Sequence, residues 1–178
     1  MWKNHLRISE LPWLRDHQIH DSVVFPAAGM ICAAVEAARQ IAKADTSQNI
    51  KGFELRDVCI TRPLVFQDLD KGIETLLHLK RRKLGMGSDT GAWHEFTFYS
   101  CQESEAYVEH ACGLIEIQYA RQASEVDSGK EHAEEILAYQ EKWNSQRAIC
   151  MDVVTSPTHY EFWKSQGLCF GKLNILSE

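Results

Sequence analysis

The residues best suited to chemistry lie close together near the N-terminus, between Leu11 and Gly29. An imidazole such as that of His17 is largely neutral near pH 7 yet able to hold a proton, which suits a general base. Pro26 opens a run that favours a helix, and the unpaired N–H groups and dipole at a helix start can stabilise negative charge. Gly29 lies in the first turn of that run, where the missing side chain would let a substrate approach the backbone closely.

Less specific interpretations of the histidines stay open from the pattern alone. Without further support, His17 is more often a hydrogen-bonded surface or core histidine than a base. His20 follows three residues later, and a His-x-x-His pair can bind zinc, but no third ligand has matching spacing, so we expect no metal site. His94 and His110 lie within strand patterns, and we expect them to be structural.

One long helix and several strands must position this segment. Pro26 to Lys43 is rich in alanine and its polar residues share one stripe, which predicts a helix closely packed on its other faces. Alternating residues predict four strands, namely Gly52–Ile60, Glu74–Lys83, Trp93–Cys101 and Tyr107–Tyr119. The glycine-rich run Gly85–Gly91 predicts a hairpin loop. A long helix with antiparallel strands indicates an α+β domain.

The chain changes character after Tyr119. Residues 120–130 are polar and aperiodic, which predicts a linker. Two helices are expected beyond it, over Glu131–Asn144 and over His159–Gln166, the second ending at Gly167. We expect exposed apolar surface on the sheet edge and around Phe170 and Leu173.

Composition narrows the class of protein. The 178 residues are the length of one ordinary domain, and 44% hydrophobic residues support a packed core. A net charge of −6 provides no positive field for nucleic acid or an anionic membrane. The longest uncharged run, between Asp21 and Glu36, is shorter than the roughly 20 residues of a spanning helix. No secretory signal and no C-x-x-C pair are visible, so we expect a cytoplasmic protein with reduced, mostly buried cysteines.

The segment from Leu11 to Gly29 resembles the N-terminal half of the dehydratase domain of polyketide synthases, most closely those of fungal highly reducing synthases. The family signature is a histidine, three residues, a glycine, four residues and a proline. His17 and Pro26 match it at the family spacing, whereas Asp21 stands where the family has glycine. The resemblance implies a hotdog fold, in which an antiparallel sheet wraps around a long central helix.

Later segments resemble successive parts of the same domain. Three are similar to its strands, over residues 52–58, 93–100 and 110–115. Residues 167–171 resemble the glycine-tyrosine-x-tyrosine-glycine-proline motif that opens a second hotdog, although Phe170 replaces a tyrosine, Lys172 the proline and Asn174 an aromatic. The resemblance predicts a hotdog over 1–120, a linker with a helix over 121–156, and the start of a truncated second hotdog over 157–178.

The resemblance implies dehydration of a 3-hydroxyacyl thioester to a 2-enoyl thioester in secondary-metabolite biosynthesis. His17 would be the base, and Pro26 and Gly29 would bind substrate. No metal or other cofactor is implied, since the substrate arrives on the phosphopantetheine arm of an acyl carrier protein. In the family the catalytic acid is an aspartate of the second hotdog. We therefore expect that half and the carrier protein as partners, and little activity from this polypeptide alone.

Two other functions stay open from the sequence. A non-catalytic hotdog remnant or interaction module would explain Asp21, the altered motif near Phe170 and the missing second half. A small thioesterase-type hotdog, completed by homodimerisation, is a third candidate, although the long segment after Tyr119 matches the linker of the tandem family. An aspartate-bearing second hotdog encoded downstream of Glu178 would favour the dehydratase.

Overall fold

A computed structural model describes residues 1–45, 49–82, 93–102, 106–120, 130–152 and 154–171. These residues hold the helices α1 (Ala27–Asp45), α2 (Lys130–Ile149) and α3 (Ser156–Ser165), and a 3-10 helix over Pro12–Asp16. The strands are β1 (Trp2–Leu6), β2 (Gln18–Ile19), β3 (Ser22–Phe25), β4 (Ile50–Ile60), β5 (Leu64–Val65), β6 (Ile73–Arg81), β7 (His94–Cys101), β8 (Val108–Tyr119) and β9 (Leu168–Cys169). The predicted hairpin loop 85–91 lies outside the described residues.

Helix α1 is the predicted central helix and begins directly after Pro26. Proline presets the backbone dihedral that a first helical turn needs. The inward stripe of α1 is at most 2% exposed and consists of Met30, Ala34, Ala37, Ala38 and Ala42. These positions recur every three or four residues, so they share one face, and small alanines let neighbouring strands approach that face closely. The predicted buried, alanine-rich helix is confirmed.

Five antiparallel strands form the large sheet, in the order β1-β6-β7-β8-β4. Strands β4, β6, β7 and β8 contact α1. The sheet face that joins α1 in the core buries Phe96, Phe98, Ile115 and Ile117 to 6% exposure or less. Removing this apolar surface from water is the main stabilising term of the domain. The predicted α+β hotdog fold is confirmed.

A smaller sheet carries the N-terminal segment that holds His17. Its order is β5-β3-β2-β9, with antiparallel pairing throughout. The C-terminal strand β9 therefore returns to pair with β2 and joins the N-terminal unit. The domain boundaries at 120 and 156 stay predictions.

The expectation of mostly buried cysteines is wrong. Cys32, Cys59 and Cys150 are exposed, while Cys101, Cys112 and Cys169 are partly exposed. Cys32 lies two residues from both Met30 and Ala34, and therefore on the opposite side of α1 from the buried stripe. Cys112 alternates with buried Ala111, so it points to the outer face of the sheet.

The expected exposure of the C-terminal apolar residues is not found at Phe170, which is half-buried, and Leu173 lies outside the described residues. Helix α2, by contrast, exposes large apolar side chains, with Leu137 at 57% and Trp143 at 67%. Among the described helices, none has the length and apolar character that a membrane span requires.

Candidate active site around His17

The backbone of His17 is fixed by two hydrogen bonds, one to a preceding residue and one to a following residue. The preceding 3-10 helix is held in place by Leu14, which is fully buried. The N–H of His17 donates to the Leu14 carbonyl at 3.0 Å, and the N–H of Val24 donates to the His17 carbonyl at 3.1 Å. His17 therefore has a defined backbone position between the 3-10 helix and strand β2.

The imidazole of His17 is oriented by one further hydrogen bond. Its Nδ1 lies 2.8 Å from the Val24 carbonyl oxygen, and the ring is partly buried. A carbonyl oxygen only accepts, so Nδ1 carries the hydrogen and donates. In the neutral ring, Nε2 then holds the lone pair and can accept a proton. The fold thus selects the tautomer that a general base at Nε2 requires.

A two-residue turn connects the strand after His17 to the strand before α1. Ile19 pairs with Ser22, and the intervening His20 and Asp21 have φ angles of 46° and 63°. Two positive φ values are the requirement of a type I′ hairpin turn. The family glycine in the Asp21 position is therefore explained by backbone conformation, and aspartate is among the residues that tolerate it. His20 is exposed at the strand end.

The structure gives Gly29, at the start of α1, a role that the sequence did not indicate. The N–H of Gly29 donates to the Pro26 carbonyl at 2.9 Å. A Cβ at Gly29 would lie 2.7 Å from Cζ of Phe25, so the missing side chain makes room for this ring. Phe25 in turn stacks on Phe98 of the large sheet. Gly29 therefore has a packing role, and substrate binding by Pro26 and Gly29 stays a prediction.

The C-terminal segment of the described chain lies beside His17. Gln18 and Ile19 of β2 pair with Cys169 and Leu168 of β9. The Phe170 ring meets the His17 ring edge-on, with centroids 5.9 Å apart. Phe170 was singled out in the sequence as a departure from a motif, but the sequence contains no signal for this contact. We call residues 167–171 the return segment.

Two glycines allow the return segment to approach this closely. Gly167 has φ of 82°, and a Cβ there would lie 2.3 Å from Nδ1 of His20. Gly171 has φ of 52°, and a Cβ there would lie 2.3 Å from Cγ of Asp16. Both positions therefore exclude a side chain by dihedral angle and by space.

His110 has a structural position, as predicted. It is 5% exposed, its Nε2 lies 2.7 Å from Ser100 Oγ, and its Nδ1 lies 3.1 Å from the Arg62 carbonyl oxygen. Burial lowers the pKa of His110, and its backbone hydrogen bonds offset this only in part. His110 is thus a neutral core histidine. Its hydrogen bond to the Arg62 carbonyl stabilises the segment that connects β4 to β5.

An open pocket adjoins the return segment. Its volume is about 360 Å³, and it is lined by Tyr160, Lys164 and Phe170, among others, while His17 is not part of its lining. Across the described ranges, no group of three or more His, Cys, Asp or Glu side chains could hold a metal ion.

Comparison with known sequences identifies relatives over most of the chain. Residues 1–100 match the model of the polyketide synthase dehydratase domain. The highly reducing polyketide synthase cnsI of Penicillium expansum is 41% identical over 118 residues, which are 66% of this chain and 5% of that protein. The highly reducing polyketide synthase phiA of a fungal species is 33% identical over 172 residues, 96% of this chain and 7% of that protein. The chain spans a small part of these relatives.

Solved structures share the fold. A trans-AT polyketide synthase dehydratase domain from Brevibacillus brevis matches with a TM-score of 0.67 and 19% identity, over 95% of this chain and 51% of that chain. The dehydratase domain of the CurF module of the curacin polyketide synthase matches with a TM-score of 0.61 and 20% identity, over 95% of this chain and 51% of that chain. This chain therefore spans about half the length of those domains. Since the family model matches more than half of its residues, the chain belongs to the polyketide synthase dehydratase family.

Proposed function

We propose that this chain supplies the base-bearing half of a dehydratase that converts a 3-hydroxyacyl thioester into a 2-enoyl thioester. The observation that carries the proposal is the 2.8 Å hydrogen bond from His17 Nδ1 to the Val24 carbonyl. It leaves Nε2 as the acceptor in the neutral ring. A histidine held this way, in a family of dehydratase domains, fits the first step of such an elimination.

In the proposed reaction, Nε2 of His17 removes the proton next to the thioester carbonyl. Negative charge develops on the carbonyl oxygen, and N–H groups at a helix start are suited to stabilise it. The Gly29 N–H already donates to Pro26, so the amides of Ala27 and Ala28 are the better donors. Both residues are exposed at the start of α1. The hydroxyl group then leaves as water once an acid protonates it.

The acid would come from the second half of the domain. This chain covers about half of the solved dehydratase domains. A CurK dehydratase with a histidine replaced by phenylalanine, and one with an aspartate replaced by asparagine, are each described as inactive mutants. This supports a mechanism that needs one residue of each kind. The remaining half and an acyl carrier protein, which presents the substrate on its phosphopantetheine arm in the cytoplasm, are the proposed partners.

The test is a dehydration assay of this chain joined to the C-terminal half of a fungal highly reducing synthase dehydratase. The substrate is a 3-hydroxyacyl thioester on a carrier protein, and the product measured is the 2-enoyl thioester. We expect His17→Ala to lower kcat by roughly 10²- to 10⁴-fold, the usual contribution of a general base. His78→Ala is the matched control, because His78 is exposed on β6, and it should retain the wild-type rate. Unchanged turnover in His17→Ala would reject His17 as the base.

A further inference from the structure

Two cysteines outside the His17 site face each other across the large sheet. Cys59 on the edge strand β4 and Cys112 on β8 are directly opposed in antiparallel register. Opposed residues of an antiparallel pair project to the same face of a sheet. Cys59 is exposed and Cys112 is partly exposed, so the two thiols share a face that solvent can reach.

The spacing of this pair suits a disulfide. The N–H of Thr61 donates to the His110 carbonyl at 2.9 Å, and these residues lie two positions along from Cys59 and Cys112. Hydrogen-bonded and non-hydrogen-bonded pairs alternate, so Cys59–Cys112 is also a hydrogen-bonded pair, with Cα atoms about 5.5 Å apart. Disulfides join Cα atoms about 4.4–6.8 Å apart, most often about 5.5–6 Å. The Cα spacing therefore permits the bond, and the two strands must draw together at this pair, because opposed Cβ atoms lie about 4.5–5.5 Å apart, farthest in hydrogen-bonded pairs, and a disulfide needs about 3.5–4.5 Å.

The pair also lies where a covalent link would restrain the fold. Strand β4 is at the edge of the sheet and has β8 as its neighbour there. Its register with β8 shifts between Arg56 and Cys59, and Asp57 within this shift has φ of 51°. A bond at Cys59 would fix the strand immediately after this irregularity.

We propose that Cys59 and Cys112 are a redox-sensitive pair that glutathione disulfide oxidises to a cross-strand disulfide, which fixes the edge strand β4 to β8. The Cys59 thiolate attacks one sulfur of glutathione disulfide and releases the first glutathione thiolate. The Cys112 thiolate then attacks the Cys59 sulfur of the mixed disulfide and releases the second. The two cysteines lose two electrons and two protons, and the oxidant is reduced to two molecules of glutathione.

The order of attack follows from the surroundings of Cys112. Partial burial raises the pKa of its thiol, and the neighbouring Glu109, Cys59 and Glu95 raise it further. The thiolate is the reactive form, so the more exposed Cys59 reacts first. The attack of Cys112 on the mixed disulfide accordingly becomes faster as the pH rises.

The test equilibrates the purified chain with glutathione and glutathione disulfide in defined ratios, followed by alkylation, digestion and mass spectrometry. We expect a peptide containing Cys59 linked to one containing Cys112 within a single chain, reversible by excess glutathione. A disulfide usually stabilises a folded chain, so Tm should rise by about 4–16 °C on oxidation.

Single-cysteine variants separate this pair from the other thiols. Cys59→Ser and Cys112→Ser should each abolish the linkage and the Tm shift. Cys32→Ser is the matched control, because Cys32 is an exposed thiol on α1, and it should leave both unchanged. Disulfides between chains, a link through Cys32 or Cys150 instead, or no thiol loss at any glutathione ratio would overturn the proposal. Mapping the disulfide-linked peptides of the wild-type chain tests the proposal even if a variant fails to fold.

Discussion

A single backbone carbonyl determines which nitrogen of His17 is available for chemistry. The Val24 oxygen accepts from Nδ1 at 2.8 Å, and Val24 itself is buried. The same histidine therefore has two roles that substitutions can separate. One is to satisfy the Val24 carbonyl, and the other is to offer a lone pair at Nε2.

Asparagine at position 17 should keep the first role and lose the second. Its side-chain N–H can donate to Val24, so we expect the free energy of unfolding of His17→Asn to lie within about 0.5 kcal/mol of wild type. His17→Phe leaves the carbonyl unsatisfied and should cost about 1–3 kcal/mol. Urea unfolding of the three proteins measures both effects. Equal stability of the asparagine and phenylalanine variants would show that the hydrogen bond to Val24 contributes nothing to the free energy of unfolding.

His110 should make stability depend on pH below neutrality. Its folded-state pKa is lowered, chiefly by burial. Above the unfolded pKa of about 6.5, the ring is neutral in both states and its contribution is complete. As the pH falls from about 6.5 towards the lower folded pKa, the unfolded chain binds a proton first, and the free energy of unfolding decreases.

Urea unfolding at pH 7.5 and pH 5.5 tests this expectation. The loss of stability between the two pH values should be smaller in His110→Asn than in wild type. His78→Asn, at an exposed position, should retain the wild-type loss. If His110→Asn loses as much as wild type, the buried imidazole does not cause the pH dependence.

At the scale of elements, a tight turn and the return segment hold the His17 strand on its two sides. The hairpin between β2 and β3 brings Val24 back to His17. Strand β9 pairs with the other edge of β2. The orientation of His17 thus depends on two contacts, one local in sequence and one distant.

The hairpin predicts how position 21 responds to substitution. Asp21 has φ of 63°, which glycine adopts freely and aspartate tolerates. Asp21→Gly should therefore leave the free energy of unfolding unchanged or raise it by up to about 1 kcal/mol. Asp21→Val should lower it by about 1–3 kcal/mol, since a branched side chain is strained there. Thermal or urea unfolding provides the measurement, and a valine variant as stable as wild type would contradict the turn assignment.

The return segment should loosen when Gly167 gains a side chain. Gly167→Ala places a Cβ against the His20 ring at a φ of 82°. The His20 amide, which donates to the Gly167 carbonyl at 2.8 Å, should then exchange its hydrogen about tenfold faster or more. Gly52→Ala is the control, because its nearest neighbour would be Gln118 Oε1 at 3.7 Å. Unchanged exchange at His20 in Gly167→Ala would mean that the close approach does not restrain the segment.

At the scale of the whole molecule, the chain has a central helix and a five-stranded sheet but about half the length of a solved dehydratase domain. We therefore expect that folding needs only the residues of this chain, whereas catalysis also needs the second half of the domain. The core around α1 is closed by residues of this chain. The edge strand β4 exposes Leu55, Val58 and Ile60, and among the described strands only β8 pairs with it.

We predict that a polypeptide of these 178 residues folds but dehydrates little or no substrate. A site that has the base without the acid should lose roughly 10²- to 10⁴-fold in turnover. The same carrier-bound assay, run with and without the C-terminal half, measures the difference, and circular dichroism confirms folding of the shorter polypeptide. Robust turnover by the 178 residues alone would refute the half-enzyme proposal.

The sequence by itself determined the central helix, the four long strands and the family resemblance. Periodicity located α1 and the four long strands because burial on one face repeats every 3.6 or 2 residues, a local property of the chain. The candidate site came from the resemblance to the family signature, whose histidine and proline match His17 and Pro26. These features depend on residues that are near one another in sequence.

Only the tertiary structure decided the surroundings of those residues. The contact of Phe170 with His17 joins residues far apart in the chain. The ring of Phe25 above Gly29 and the opposition of Cys59 to Cys112 depend on side-chain packing and strand register. Register and close packing follow from the simultaneous burial of all elements, and no single segment encodes them. The sequence therefore singled out His17 as the candidate base, and the fold determined which of its ring nitrogens holds the lone pair in the neutral form.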